Sequence, residues 1–157
     1  MQLHLIAVGK RMPGWVEQGY ATYAKRMPAS TRLHLSEIAP AKRTRGADTA
    51  RAVVQEGERM LAAIPKGAYV IALEVDGRAW STPQLAEELA RWRQGGRDIA
   101  LLVGGPEGLC AECRARAEAS WSLSPLTLPH PLVRVLLAEQ LYRACSILDN
   151  HPYHRGA

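Results

Sequence analysis

The chain has 157 residues, of which 47% are hydrophobic and 22% charged, a balance that suits one globular domain over residues 1–157 and excludes an intrinsically disordered chain. No apolar run approaches the ~20 residues that a membrane-spanning helix needs. Met1–Leu5 also lacks the basic flank and cleavage site of a secretory signal. Three cysteines cannot all pair within the chain, so a reducing, cytoplasmic setting is expected. The net charge of +5 favours polyanionic partners. Its clusters, Lys10-Arg11, Lys25-Arg26 and Lys42-Arg43-Thr44-Arg45, fall near the ends of expected elements.

In chain order, Leu3–Val8 reads as a strand stopped by Gly9. Pro13 can occupy a first helical turn, and Trp15, Val16, Gly19, Tyr20 and Tyr23 recur at helical spacing up to Met27-Pro28. Thr31–Ile38 alternates as a second strand, and Pro40–Gly46 is a basic loop expected to be mobile. Asp48 can cap a helix reaching Ile64, where Pro65 and Gly67 end it. Tyr69–Leu73 reads as a buried strand closed by a turn at Asp76-Gly77. Ser81 with Gln84 makes a capping box, Pro83 suits the first turn, and that helix carries Leu85, Leu89 and Trp92 to Gly95-Gly96. Ile99–Val103 is a further buried strand, followed by the loop Gly104–Gly108, a short helix over Cys110–Glu118 and a last strand over Trp121–Leu123. A long helix is expected over Leu132–Ile147.

Strands alternating with helices imply a parallel sheet with helices on both faces. The last helix carries two apolar stripes, Val133, Leu136, Leu137, Leu141, Ala144 and Leu132, Val135, Ala138, Tyr142. A helix apolar around most of its circumference must be covered on both sides, by the sheet and by a second subunit in a two-fold homodimer. A helix sandwiched within the monomer is the alternative.

Ligands of parallel sheets bind at the carboxyl ends of strands, which singles out Gly104–Gly108. The segment is neither G-x-G-x-x-G nor a phosphate-binding P-loop, and Pro106 removes a backbone donor, so a dinucleotide or triphosphate is disfavoured. A tight Pro-Glu-Gly turn is the competing reading. Ser122–Pro131 alternates hydroxyls with leucines before Pro129-His130-Pro131. Pattern alone leaves it open between a loop folded over a flat apolar ligand and a capped helix entry. Cys110 and Cys113 form one C-x-x-C with no second pair, so zinc is not expected, and Cys145 suits the core. The four tryptophans, Trp15, Trp80, Trp92 and Trp121, are expected in the core. The tail gathers His151, Tyr153, His154 and Arg155, the groups that contact phosphates, stack on bases and manage protons. A frayed terminus is the bland alternative.

Several stretches in order carry a family resemblance over nearly the whole chain. They are Ala7-Val8-Gly9-Lys10 with Met12-Pro13, Thr82–Ala86, Gly104–Gly108, Trp121–Ser124, Leu126–Arg134 and Asn150–Arg155. In these the chain resembles the bacterial large-subunit rRNA pseudouridine N3-methyltransferases of the SPOUT superfamily. The resemblance implies an α/β parallel sheet flanked by helices with a C-terminal trefoil knot, in a homodimer. It implies methylation of N3 of a pseudouridine in 23S rRNA within the ribosome, with S-adenosyl-L-methionine as cofactor and no metal. Carried over, the cofactor contacts are Leu73, Gly104, Leu123, Ser124, Pro125, Leu126, Thr127 and Leu128. Tyr153, His154 and Arg155 of one subunit are expected to complete the site of the other as catalytic residues. Arg134, Lys10, Lys42 and Arg43 are expected to hold RNA phosphates. The chain departs from the family pattern at Cys110, Pro125 and Cys145, and Pro125 costs the cofactor segment one backbone donor. A non-catalytic ribosome-binding protein and a nucleotide-dependent oxidoreductase are the competing classes, the latter opposed by the missing glycine fingerprint.

Overall fold

The computed structural model describes residues 1–43 and 49–156. Five strands, β1 (Leu3–Val8), β2 (Leu33–Ile38), β3 (Tyr69–Ala79), β4 (Ile99–Val103) and β5 (Ala119–Ser122), form one parallel sheet in the order β2-β1-β4-β3-β5. The helices are α1 (Gly14–Ala24), α2 (Thr49–Ala63), α3 (Thr82–Gly95), α4 (Ala111–Arg116) and α5 (His130–Leu148). No described helix is long and apolar enough to cross a membrane. The helix start expected at Asp48 lies outside the described residues, as do Thr44, Arg45 and Gly46 of the basic loop.

A parallel sheet must be covered on both faces, and the period-2 geometry of its strands divides the core accordingly. Leu3, Leu5 and Ala7 of β1, with Ile99, Leu101 and Val103 of β4, face one layer that includes Leu85 and Leu89 of α3 and Leu137 and Leu141 of α5. Ile6 and Val8, with Ala100 and Leu102, face the other, which holds Met60 of α2 and Leu109, Cys110 and Cys113 at α4. All five residues of β4 are buried, which is why that strand reads as an unbroken apolar run. Helix α5 is flanked by α1 and α3 of its own chain. Gly19 permits the approach of α1, since a Cβ there would lie 3.2 Å from Cγ1 of Val135. Much of the apolar circumference that the sequence suggests for a second subunit is therefore covered within the chain. Leu132, Leu136 and Tyr142 stay partly exposed.

Four expectations need correction. The Asp76-Gly77 pair does not close β3. The strand shifts register between Leu73 and Arg78, both opposite Trp121, and pairs with β5 again through Ala79. Gly77 makes this possible, because a Cβ there would sit 2.8 Å from the Trp121 nitrogen. Trp15 is 59% exposed and belongs to no core, unlike Trp80, Trp92 and Trp121. Cys110 is not incidental: as N-cap of α4 its Sγ accepts a bond from the Cys113 N–H at 3.4 Å. Gly57 makes room for it, since a Cβ there would overlap that sulfur. The tail does not fray but forms a 3-10 turn, Pro152–Gly156, on α5.

The capping box at Ser81 is present in both directions, with Gln84 N–H donating to Ser81 Oγ at 3.2 Å and Ser81 N–H donating to Gln84 Oε1 at 2.8 Å. Ser81→Ala is expected to lower stability by about 1 kcal/mol, seen as a shift of the urea midpoint at constant slope. At the other end of the sheet, Asp98 accepts from the Gln2 N–H at 2.9 Å and bonds His4 Nε2 at 3.0 Å. The Gln2 bond first, then His4, hold its carboxyl below the ordinary aspartate range. A depressed carboxyl stabilises above its unfolded value and loses that contribution as pH falls through the folded value. The stability deficit of Asp98→Asn is thus expected to be full at neutral pH, to begin shrinking only below about pH 4 and to disappear below the depressed folded value.

Candidate functional site

Three neighbouring strands, β4, β3 and β5, line one cavity of about 200 Å³. Leu73 joins its wall from the register shift within β3, Val103 and Gly104 bring in the end of β4, and Trp121 belongs to β5. The connection from β5 to α5 covers it with Leu123, Ser124, Leu126, Thr127 and Leu128, and α5 contributes His130 and Val133. Seven of the eight residues expected at the cofactor therefore share one cavity; Pro125 is exposed and does not line it. Gly105, Pro106 and Gly108 of the glycine loop also line it, as do Glu74, Val75, Trp121, His130 and Val133, which carry no signal in a lone motif. These five lie at the register shift of β3, near the end of β5 or in the first turn of α5.

The glycine loop is a tight turn and also a cavity wall, so the two sequence readings coexist. The Gly108 N–H donates to the Gly105 carbonyl at 2.9 Å across Pro106-Glu107, and Gly108 has φ +81°. A Cβ on Gly104 would collide with the Gly108 backbone and lie 2.9 Å from the Leu109 nitrogen. In the covering loop the hydroxyls turn inward to the chain. Ser122 Oγ donates to the Ser124 carbonyl at 3.1 Å, and Ser124 Oγ accepts from Leu126 N–H at 2.9 Å. They shape the loop and leave Leu123 and Leu128 as apolar wall.

Among the described residues no lysine or arginine lines the cavity. Its lining carboxylate, Glu74, is paired with Arg114 at 2.6 Å. His130 is half-buried, and burial first, then the Arg134 charge, push its pKa below the ordinary histidine value. A phosphate would find no cation here, whereas a flat apolar group flanked by backbone donors and acceptors would be accommodated.

Two expected phosphate contacts, Arg134 and Arg43, are paired with carboxylates of the same chain. Arg134 is only 2% exposed; it donates to Glu37 at 2.7 Å and to the Gly9 carbonyl at 2.7 Å, tying α5 to the ends of β1 and β2. Desolvation rules out a role as a surface phosphate clamp within this chain. Arg43 bonds the buried Glu56 at 3.0 Å and also Glu107, joining α2 to the glycine turn. Arg43 in turn holds the Glu107 carboxyl below the ordinary range. Lys10 and Lys42 are exposed, as phosphate contacts require.

The tail residues lie elsewhere. Tyr153 donates to Glu139 at 3.1 Å beneath the Arg143 guanidinium, and burial, then Glu139, push its pKa up to about 12. His154 Nδ1 lies 3.2 Å from Ser146 Oγ, and Arg155 bonds Asn150 at 3.2 Å. None of the three lines the cavity. Val133 and Ser146 are thirteen helical rises apart, roughly 20 Å. Among the described residues no group of three His, Cys, Asp or Glu is gathered to hold a metal ion.

These features define a parallel α/β domain with an apolar, cation-free ligand cavity at the carboxyl ends of its strands. The chain belongs to the SPOUT methyltransferases: the family model described as "Predicted SPOUT methyltransferase" matches residues 1–154. It is 61% identical over 155 residues to the ribosomal RNA large subunit methyltransferase H of Hahella chejuensis, covering 99% of both chains. Its identity to the protein of the same name from Methylococcus capsulatus is also 61%, over 99% of this chain and 100% of that one. Among solved structures, a probable methylase family protein from Haemophilus influenzae matches with a TM-score of 0.56 at 13% identity, over 96% of this chain and 69% of that one, a likeness of fold alone.

Removing Arg43 leaves Glu56 buried without its cation. Arg43→Ala is expected to cost about 3 kcal/mol in denaturant unfolding, and Lys42→Ala, at an exposed position, no more than about 0.5 kcal/mol. Equal effects would mean that the buried Glu56 carboxylate does not depend on Arg43.

Proposed function

We propose that this chain methylates N3 of a pseudouridine in large-subunit 23S rRNA on the ribosome, in the cytoplasm, using S-adenosyl-L-methionine. The observation that carries this reading is the cation-free cavity in a chain of this family. Leu73, Gly104, Leu123, Ser124, Leu126, Thr127 and Leu128 would hold the cofactor. When bound, it supplies an electrophilic methyl group on a sulfonium that leaves as a neutral thioether. The apolar walls exclude water from the reacting centre, and the close fit of Gly104 against Gly108 keeps the pocket edge fixed. Positioning supplies most of the acceleration in such an in-line displacement, so no metal is called for.

The active enzyme in this reading is a homodimer whose C-terminal part is threaded as a trefoil knot. Support for the dimer comes from the tail. Tyr153, His154 and Arg155 stand about 20 Å along α5 from their own cavity, so they can serve a cavity only by reaching a partner's. There Arg155 would favour negative charge on the target base, and Tyr153 and His154 would complete the wall around it. Lys10 and Lys42 would bind phosphates.

A chain truncated after Asn150 is expected to lose methylation while keeping its affinity for S-adenosyl-L-methionine in calorimetry. Sedimentation of the full chain at micromolar concentration is expected to give a dimer. Retained methylation by the truncated chain would remove the tail from the site, and a monomer would remove the shared site altogether. Mass spectrometry of rRNA from cells with and without the gene tests the reaction itself.

A further inference from the structure

N3 of the target base carries a proton that must leave, and the tail offers poor acceptors for it. Arg155 is permanently protonated. Tyr153 carries its own proton to about pH 12 and spends it on Glu139. His154 bonds Ser146 Oγ through Nδ1 and keeps Nε2 free among the described residues, but the ring stands about 20 Å along α5 from the cavity of its own chain. In the cavity itself, Glu74 is held by Arg114, leaving one lining side chain that can take up a proton near neutrality. That side chain is His130.

We propose that His130 is the catalytic proton acceptor for the N3–H of the target base, an inference that rests on the function proposed above. The imidazole sits in the first turn of α5 on the cavity wall, against the bend that follows β1. Its Nε2 packs beside Gly9, 3.5 Å from where a Cβ on that residue would lie. Among the described residues the ring makes no hydrogen bond. Lys10, next in sequence to Gly9, is exposed. The charged groups around the ring are Arg134 on α5, paired with Glu37 of β2, and Glu56 of α2, paired with Arg43. Burial and Arg134 outweigh Glu56, so the ring is neutral and able to accept at neutral pH. The N-terminal end of α5 adds positive potential of the same sense. That potential also favours the anion that forms as N3 loses its proton.

In the step, the N3–H bond breaks and its proton passes to the unprotonated ring nitrogen of His130. The electron pair left on N3 forms the N–CH₃ bond while the methyl–sulfur bond breaks and the sulfur departs as neutral thioether. The imidazolium then returns its proton to water, aided by Arg134. The net result is one methyl group transferred and one proton released.

The test uses the full chain with His130→Ala and His130→Gln. At saturating cofactor and RNA, single-turnover methylation is expected to fall about 100-fold or more. The affinity for S-adenosyl-L-methionine and the unfolding midpoint stay near the wild-type values. The wild-type rate is expected to decline in acid as a single group protonates, and the residual rate of His130→Gln to lack that limb. Added imidazole is expected to restore part of the His130→Ala rate. Independently of activity, NMR of the cofactor-free chain is expected to show the His130 ring titrating below about 6.5 and shifting when pseudouridine-containing RNA is added. Near-normal methylation by His130→Gln, an unchanged acid limb, or a ring that titrates above the ordinary value would each overturn the proposal. If His130→Ala fails to fold, His130→Gln decides. Absence of methyl transfer by the wild-type chain would overturn the proposed function itself, whereas an active wild type with an unimpaired His130→Gln would overturn only the role of His130.

Discussion

Both faces of the parallel sheet are buried, and the rest of the molecule follows from that. β1 alternates its side chains between two apolar layers, and β4 is buried along its whole length, so the central strands leave no face for chemistry. Function is confined to strand ends, where backbone groups are released from the ladder and loops can diverge. The cavity stands at the ends of β4 and β5, beside the register shift of β3 that lies between them. Its walls are glycine backbone on one side and a leucine-bearing connection on the other. The same packing presses α5 against α1 and α3, and the first turn of that helix forms one cavity wall.

Charge in this chain serves two separate ends. The net excess of +5 suits a polyanionic partner, yet two of the arginines that sequence assigns to that partner bind carboxylates within the fold. Arg134 joins the carboxyl ends of β1 and β2 to α5, and Arg43 joins α2 to the glycine turn. Both frame the functional edge of the sheet. A buried charge is tolerated only when it is paired and hydrogen-bonded, and breaking such a pair costs more than the pair contributes. These arginines therefore hold the site's surroundings in place, while Lys10 and Lys42 keep their charge in solvent.

The strands and helices were legible in the sequence because each carries a local signal. Apolar runs marked β1 and β4, and the Ser81–Gln84 pair marked the start of α3 with both bonds of its capping box. Asp76-Gly77 misled, because the same dipeptide serves a hairpin turn or a close approach between strands, and only the position of Trp121 decides. Trp15 misled for a similar reason: a tryptophan's burial depends on what faces it. At the site, Leu73, Gly104 and the Leu123–Leu128 segment came from a family resemblance; periodicity left their roles open.

The sequence by itself determined the parallel α/β class, the strand-end location of the glycine loop and the exclusion of a phosphate cradle. Each of these depends on neighbours within a few residues, or on residues being absent. Only the tertiary structure decided that Arg134 is internal and Arg43 paired with carboxylates of its own chain, that Pro125 lies off the cavity, that the tail folds far from its own pocket and that His130 enters the cavity wall. The arginine pairings alone join residues 13 to 126 positions apart in the chain. Burial and charge pairing are properties of such meetings in space, and no local pattern encodes them.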